Sequence, residues 1–167
     1  MTKYEEICAA YGSARKAFSE NQAQCLKFAA ELVKGMIDYF GCKEQHIKIY
    51  PPDINFDPAN AGTVEQALRM APDGVWYFVL GITLYQTPEN PPAETLCMNL
   101  AVSSTPAGFE IKVKDVREPF HIPPDYSGIT RRHKAFYELV YRTVKNTYEK
   151  GLMPFSTKTE IGRDIAF

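Results

Sequence analysis

The groups best placed to do chemistry are the run Arg131-Arg132-His133-Lys134 and the histidine ten positions before it, His121. The run is the densest basic stretch of the chain. It falls at the first turn of a helix, where the macrodipole disfavours cations, so fold stability alone would not select it. An anionic partner would fit such a place, and Arg131, Arg132, Lys134, His133 and His121 are the candidate binding residues on that ground. His121 and Asp125 flank Ile122-Pro123-Pro124 in a stiff loop, with His133 close behind. A histidine held by a carboxylate beside a second histidine can do acid–base work. The plainer reading is preferred: His121 at a strand end, His133 a solvated helix residue, since nothing supplies a nucleophile or a set of metal ligands.

Other patterns point to no catalyst. Asp53-Ile-Asn-Phe-Asp57 opens like a calcium loop, but Pro58 stands where glycine is needed and Val64 where the bidentate glutamate belongs. A proline-rich loop with Asx turns accounts for it better. The glycine-rich phosphate and dinucleotide motifs, the serine-hydrolase elbow and the zinc-protease helix are all missing. No catalytic residue, metal ligand or cofactor is therefore expected. Cys8, Cys25, Cys42 and Cys97 form no C-x-x-C pair and are spaced like small core residues, so free thiols in a cytoplasmic protein are expected.

Composition agrees with a protein that folds around its own core. The chain has 167 residues, 45% apolar and 23% charged, and a formal net charge of −1. That length fits one domain, 1–167. The near-zero charge gives no global field for nucleic acid or an anionic membrane. Charge is mildly uneven: residues 42–116 carry five basic and nine acidic groups, residues 117–167 nine basic and six acidic. No N-terminal charged-then-apolar leader is present, and no apolar run approaches the length of a membrane span.

The elements that must position these residues read as α+β. Tyr4, Ile7, Cys8, Tyr11, Ala14 and Phe18 recur at helical spacing, and a wider apolar face follows from Cys25 to Phe40, stopped by Gly41. The pattern suits one bent helix or a pair, with Gly12 and Ser19 as break points; Ser19 and Gln22 match a capping box. Residues 46–50 predict a short strand and 63–71 a short helix. Residues 75–86 are the strongest strand signal, apolar on both faces and so central. A loop over 87–93 with three prolines, a strand over 94–104, a turn at 105–108 and a strand over 109–116 complete an antiparallel meander from 75 to 116. The expected sheet has about four strands, with a long C-terminal helix from Ser127 or Thr130 to Lys150 packed on it. Residues 152–167 keep Leu152, Phe155, Ile161, Ile165 and Phe167 and are expected to dock.

The functional expectation is a non-catalytic, cytosolic protein–protein interaction module whose partner is another protein or a second copy. The competing readings are a small-molecule or enzymatic domain with a pocket between sheet and helices, and nucleic-acid binding through the basic start of the last helix.

Overall fold

Thr2 begins the first helix. Its hydroxyl accepts from the Glu5 amide and the Glu5 carboxylate accepts from the Thr2 amide, a reciprocal cap that satisfies two of the free N–H groups of a helix start. In the computed structural model, which describes residues 1–52, 57–150 and 162–165, helix α1 then runs unbroken from Lys3 to Phe40. Its 38 residues span about 57 Å. Neither Gly12 nor Ser19 breaks it. Gly41 closes it with φ 62°, a left-handed conformation that glycine adopts without steric cost.

The sheet follows. Strand β1 (Ile47–Tyr50) lies along β3 (Trp76–Thr87), and β4 (Asn90–Thr105), β5 (Gly108–Val113) and β6 (Phe120–Ile122) follow in order, each antiparallel to its neighbour. Strand β2 (Arg69–Met70) also pairs β3, and β7 (Gly162–Asp164) pairs β4 in parallel. The described sheet thus has seven strands, not about four. The expected meander is its centre. The additions are short pieces that periodicity cannot register. β6 is three residues between Pro119 and Pro123, and β7 is a parallel strand with no hairpin to announce it.

Two other expectations are corrected. The helix expected over 63–71 is a single turn, α2 (Val64–Ala67), because the next residues pair with β3 and leave helical geometry at Leu68. The expected loop 87–93 is mostly strand. Pro88 and Glu89 make the tight turn, and the pairing slips between Tyr85 and Thr87, an irregularity that accommodates Pro91 and Pro92 in β4.

Helix α3 (Arg131–Glu149) is capped by Thr130 and packs beside α1 on one face of the sheet. The core lies between these layers: Phe28, Leu32 and Met36 of α1, Phe136, Tyr137 and Val140 of α3, and Phe78, Leu80, Met98, Leu100 and Ile111 of the sheet are all buried. Two close approaches fix the helices. A Cβ on Gly35 would sit 2.4 Å from Ile129 Cδ1 and from the Tyr137 hydroxyl, which itself donates to the Leu32 carbonyl at 2.8 Å. The opposite sheet face carries a smaller cluster of Tyr50, Val79 and Cys97. At the chain's end Ile165 is buried in the main core and its amide donates to the Cys97 carbonyl. The other apolar residues of the expected docked tail, Leu152, Phe155, Ile161 and Phe167, lie outside the described residues, as do Asp53 and Asn55 of the calcium-like loop.

Candidate interaction surface

Helix α1 is two structures in one. From Cys25 to Met36 it is a core helix, with Cys25, Phe28, Ala29, Leu32 and Met36 fully buried. From residue 1 to 20 every position is exposed. The junction is built by Trp76: its indole N–H donates to Asn21 Oδ1 at 3.0 Å, and its ring lies 6.0 Å from that of Phe18. Beyond Phe18 the helix leaves the body as an arm of five turns.

The arm is not a polar helix. Tyr4, Ile7, Tyr11 and Phe18 are 74%, 66%, 62% and 43% exposed, and they fall at spacings of three, four and seven on one face. That series continues without a skip through Asn21, Cys25, Phe28 and Leu32 into the core. The two halves differ in width. Between 25 and 40 large apolar residues also occupy flanking positions, such as Leu26, Val33 and Ile37, which makes the wide face of a core helix. Between 4 and 18 the large residues keep to the seam, and the flanks are Cys8, Ala10, Arg15 and Ala17. A stripe this narrow is the kind that meets one other helix. Met70, 42% exposed, lies opposite Trp76 in the β2–β3 pair and so shares its sheet face, next to where the arm departs.

The arm stays helical on local terms. Besides its cap it has Glu5 and Glu6 in the first turn, where the macrodipole favours acids. Arg15 bonds the Tyr11 hydroxyl at 3.2 Å, and Lys16 and Glu20 pair one turn apart. The anchored half supplies a formed helix to extend, so no new nucleus is needed.

The residues singled out by sequence are dispersed. Arg131, Arg132 and Lys134 are exposed on the first turn of α3, and none has an ion-pair partner among the described residues. His133 departs from the solvated reading: it is fully buried, ringed by Phe28, Tyr126 and Tyr137. Its Nδ1 accepts from the Thr130 amide at 3.1 Å, completing the α3 cap, which leaves the hydrogen on Nε2, without a partner among the described residues. Burial pushes its pKa below the usual histidine value. His121 is exposed on β6, and its ion-pair partner is Glu110 rather than Asp125. Glu110 and His121 are paired positions on the sheet face away from α3, so the sheet separates the two histidines.

Two clefts lined by described residues border the body. One, of about 680 Å³, lies where the end of α1 meets α3 and β3, lined in part by Phe40, His46, Tyr85 and Tyr141. His46 Nδ1 accepts from the Lys43 amide at 3.3 Å and its Nε2 has no partner among the described residues. The cleft's carboxylate, Glu138, is already bonded by Tyr39 and Arg142, which hold it below the usual carboxylate range. The other, of about 800 Å³, runs beside the middle of α1 under the β4–β5 turn and is lined largely by polar residues such as Gln24, Lys27 and Ser104. In it the Tyr126 hydroxyl donates to Glu31, and burial followed by that bond pushes the phenol's pKa up. Among the described residues no group of three or more His, Cys, Asp or Glu side chains is arranged to hold a metal. No described helix is long and apolar enough to cross a membrane. No protein family, curated protein or solved structure shows a significant match to this chain.

The stripe Tyr4–Ile7–Tyr11–Phe18 was visible in the sequence as helical periodicity but not as a surface. The signal that separates the two is the width of the stripe, narrow before residue 20 and broad after it.

Proposed function

We propose that this protein is a non-catalytic interaction module that uses the α1 arm as its docking element. One observation carries the reading. A helix of five turns leaves the body with four large apolar side chains in line: Phe18 meets Trp76 at the base, and beyond it Tyr4, Ile7 and Tyr11 stand 62–74% exposed. Large exposed apolar stripes rimmed by polar residues mark sites of association rather than ordinary surface. A helix with a seam of this kind is read by another protein through anchors one turn apart. The body's role is to hold the arm: the Asn21–Trp76 bond and the buried Phe28 and Leu32 fix the direction in which it projects. The four free thiols suit a reducing compartment, and a cytoplasmic location is part of the proposal.

The test is the sedimentation profile of the tagged chain in native extract. With Tyr11→Glu on the seam, the fast-sedimenting complexes should collapse to the position of the free chain. With Lys16→Glu on the opposite side of the arm they should persist. Identical profiles for the two variants and the parent would overturn the reading.

A further inference from the structure

We infer that the arm's partner is a second copy of this chain, the two arms packing antiparallel along their exposed stripes. The inference rests on the interaction reading above and adds the occupant.

Three features of the arm select it. The first is the seam itself. Tyr4, Ile7, Tyr11, Ala14 and Phe18 follow the alternating three-and-four spacing of a two-helix contact, and the flanking Ala10 and Ala17 are small enough for a second helix to come close. Run against its own reverse, the series sets Tyr11 against the small Ala14 of the other copy and Ile7 against Phe18.

The second feature is where the body sits. The seam passes directly into Cys25, Phe28 and Leu32, which carry the sheet, turning by only about 20° per heptad. The sheet therefore stands on the same side of α1 as the exposed stripe, one helix half further along. In a parallel pair both bodies would claim the space between the two helices at the same level. In an antiparallel pair each body lies beyond the other copy's N-terminus. The tip of each arm, with Tyr4, then ends beside the other copy's Phe18 and Met70, 43% and 42% exposed, at the base of its arm.

The third is area. At their observed exposures the four large seam residues present roughly 450–500 Å² per copy, taking about 200 Å² for each side chain. Doubled, and with flanking Cys8, Ala10, Arg15 and Ala17 added, the contact passes the ~1,000 Å² that a specific interface needs and sits at the low end of the stable range.

The test uses the purified full chain. Sedimentation equilibrium at rising micromolar concentration should move the mass from 18.9 kDa to twice that value. Tyr11→Glu should weaken association by at least about 100-fold while leaving the melting profile of the dilute chain unchanged, because the substitution falls at the centre of the contact in both copies. Orientation is read by spin labels on Lys3→Cys in a Cys8→Ser, Cys42→Ser background: about 25–30 Å between copies if antiparallel, about 10 Å if parallel. A chain that stays monomeric throughout, a dimer indifferent to Tyr11→Glu, or a short label distance would each overturn the inference. If the pure chain is monomeric yet Tyr11→Glu still dissolves its complexes in extract, the second copy is excluded and the interaction reading stands. If neither changes, both fail.

Discussion

Removing residues 1–18, so that the chain starts at Ser19, should cost the body little. Of the deleted segment's large side chains, Phe18 is 43% exposed and packs on Trp76, whereas Tyr4, Ile7 and Tyr11 are 62–74% exposed. Full burial of a Phe side chain is worth about 1.5–3 kcal/mol, so slightly more than half of it amounts to ~1–2 kcal/mol. The new terminus carries its own cap, because Ser19 and Gln22 stand in capping-box spacing. For a domain of this size the loss lowers the melting temperature by roughly 2–8 °C. By contrast, Phe28→Ala, on the same helix but fully buried and stacked 4.3 Å from Phe109, should cost about 3–5 kcal/mol. The assay is urea unfolding followed by the fluorescence of Trp76, the single tryptophan. The parent midpoint should rise with protein concentration as self-association stabilises the folded state, and the truncated chain's should not. A truncated chain that unfolds, or that loses as much as Phe28→Ala at high dilution, would refute the division of α1 into core helix and free arm.

Further outcomes follow from the same geometry. His133 is neutral in the folded protein because burial lowers its pKa, while in the unfolded chain it protonates below about 6.5. Its contribution is thus fully present above that pH and is lost as pH falls; His133→Gln, which keeps the acceptor for the Thr130 amide, should flatten this limb in a series of melts from neutral to mildly acidic pH. Cys8 on the arm should react with a thiol reagent in the native protein, whereas Cys25 and Cys97, pushed by burial to about 11 and about 12, should react only on unfolding; fast labelling of either would contradict their packing. Replacing Arg131, Arg132 and Lys134 together with Gln should leave the melting temperature unchanged or slightly raised, since cations at a helix start lose about 0.3–1 kcal/mol each where acids would gain it; a lowered value would reveal a structural role.

Much of the fold was legible because it is local. The strand over 75–86, the alternation of Leu96, Met98 and Leu100, and the stripe of Phe136, Val140 and Val144 each announce themselves within a dozen residues. What was not legible depends on partners far along the chain. Arg69 and Met70 are strand only because β3 offers them an edge, and Gly162–Asp164 pair β4 where the shorter β5 leaves it free. His133 looked solvated beside three cations, yet helical geometry turns it inward while they face water. The candidate surface was half legible. Periodicity found the residues of the stripe, but the same periodicity serves a core face and a docking seam. The exposure of residues 4–18 decides between them, a fact of tertiary structure whose trace in the sequence is the narrowness of the stripe before residue 20.

The most direct test of the interaction account is site-specific photo-crosslinking in cells, with a photoreactive phenylalanine replacing Tyr11 in one variant and Lys16 in another. These positions lie on opposite sides of the arm. The expected result is a strong protein adduct from position 11, at twice the chain mass if the partner is a second copy, and little or none from position 16. Adducts of equal strength from both positions, or none from position 11, would contradict the claim that the exposed stripe is an interface.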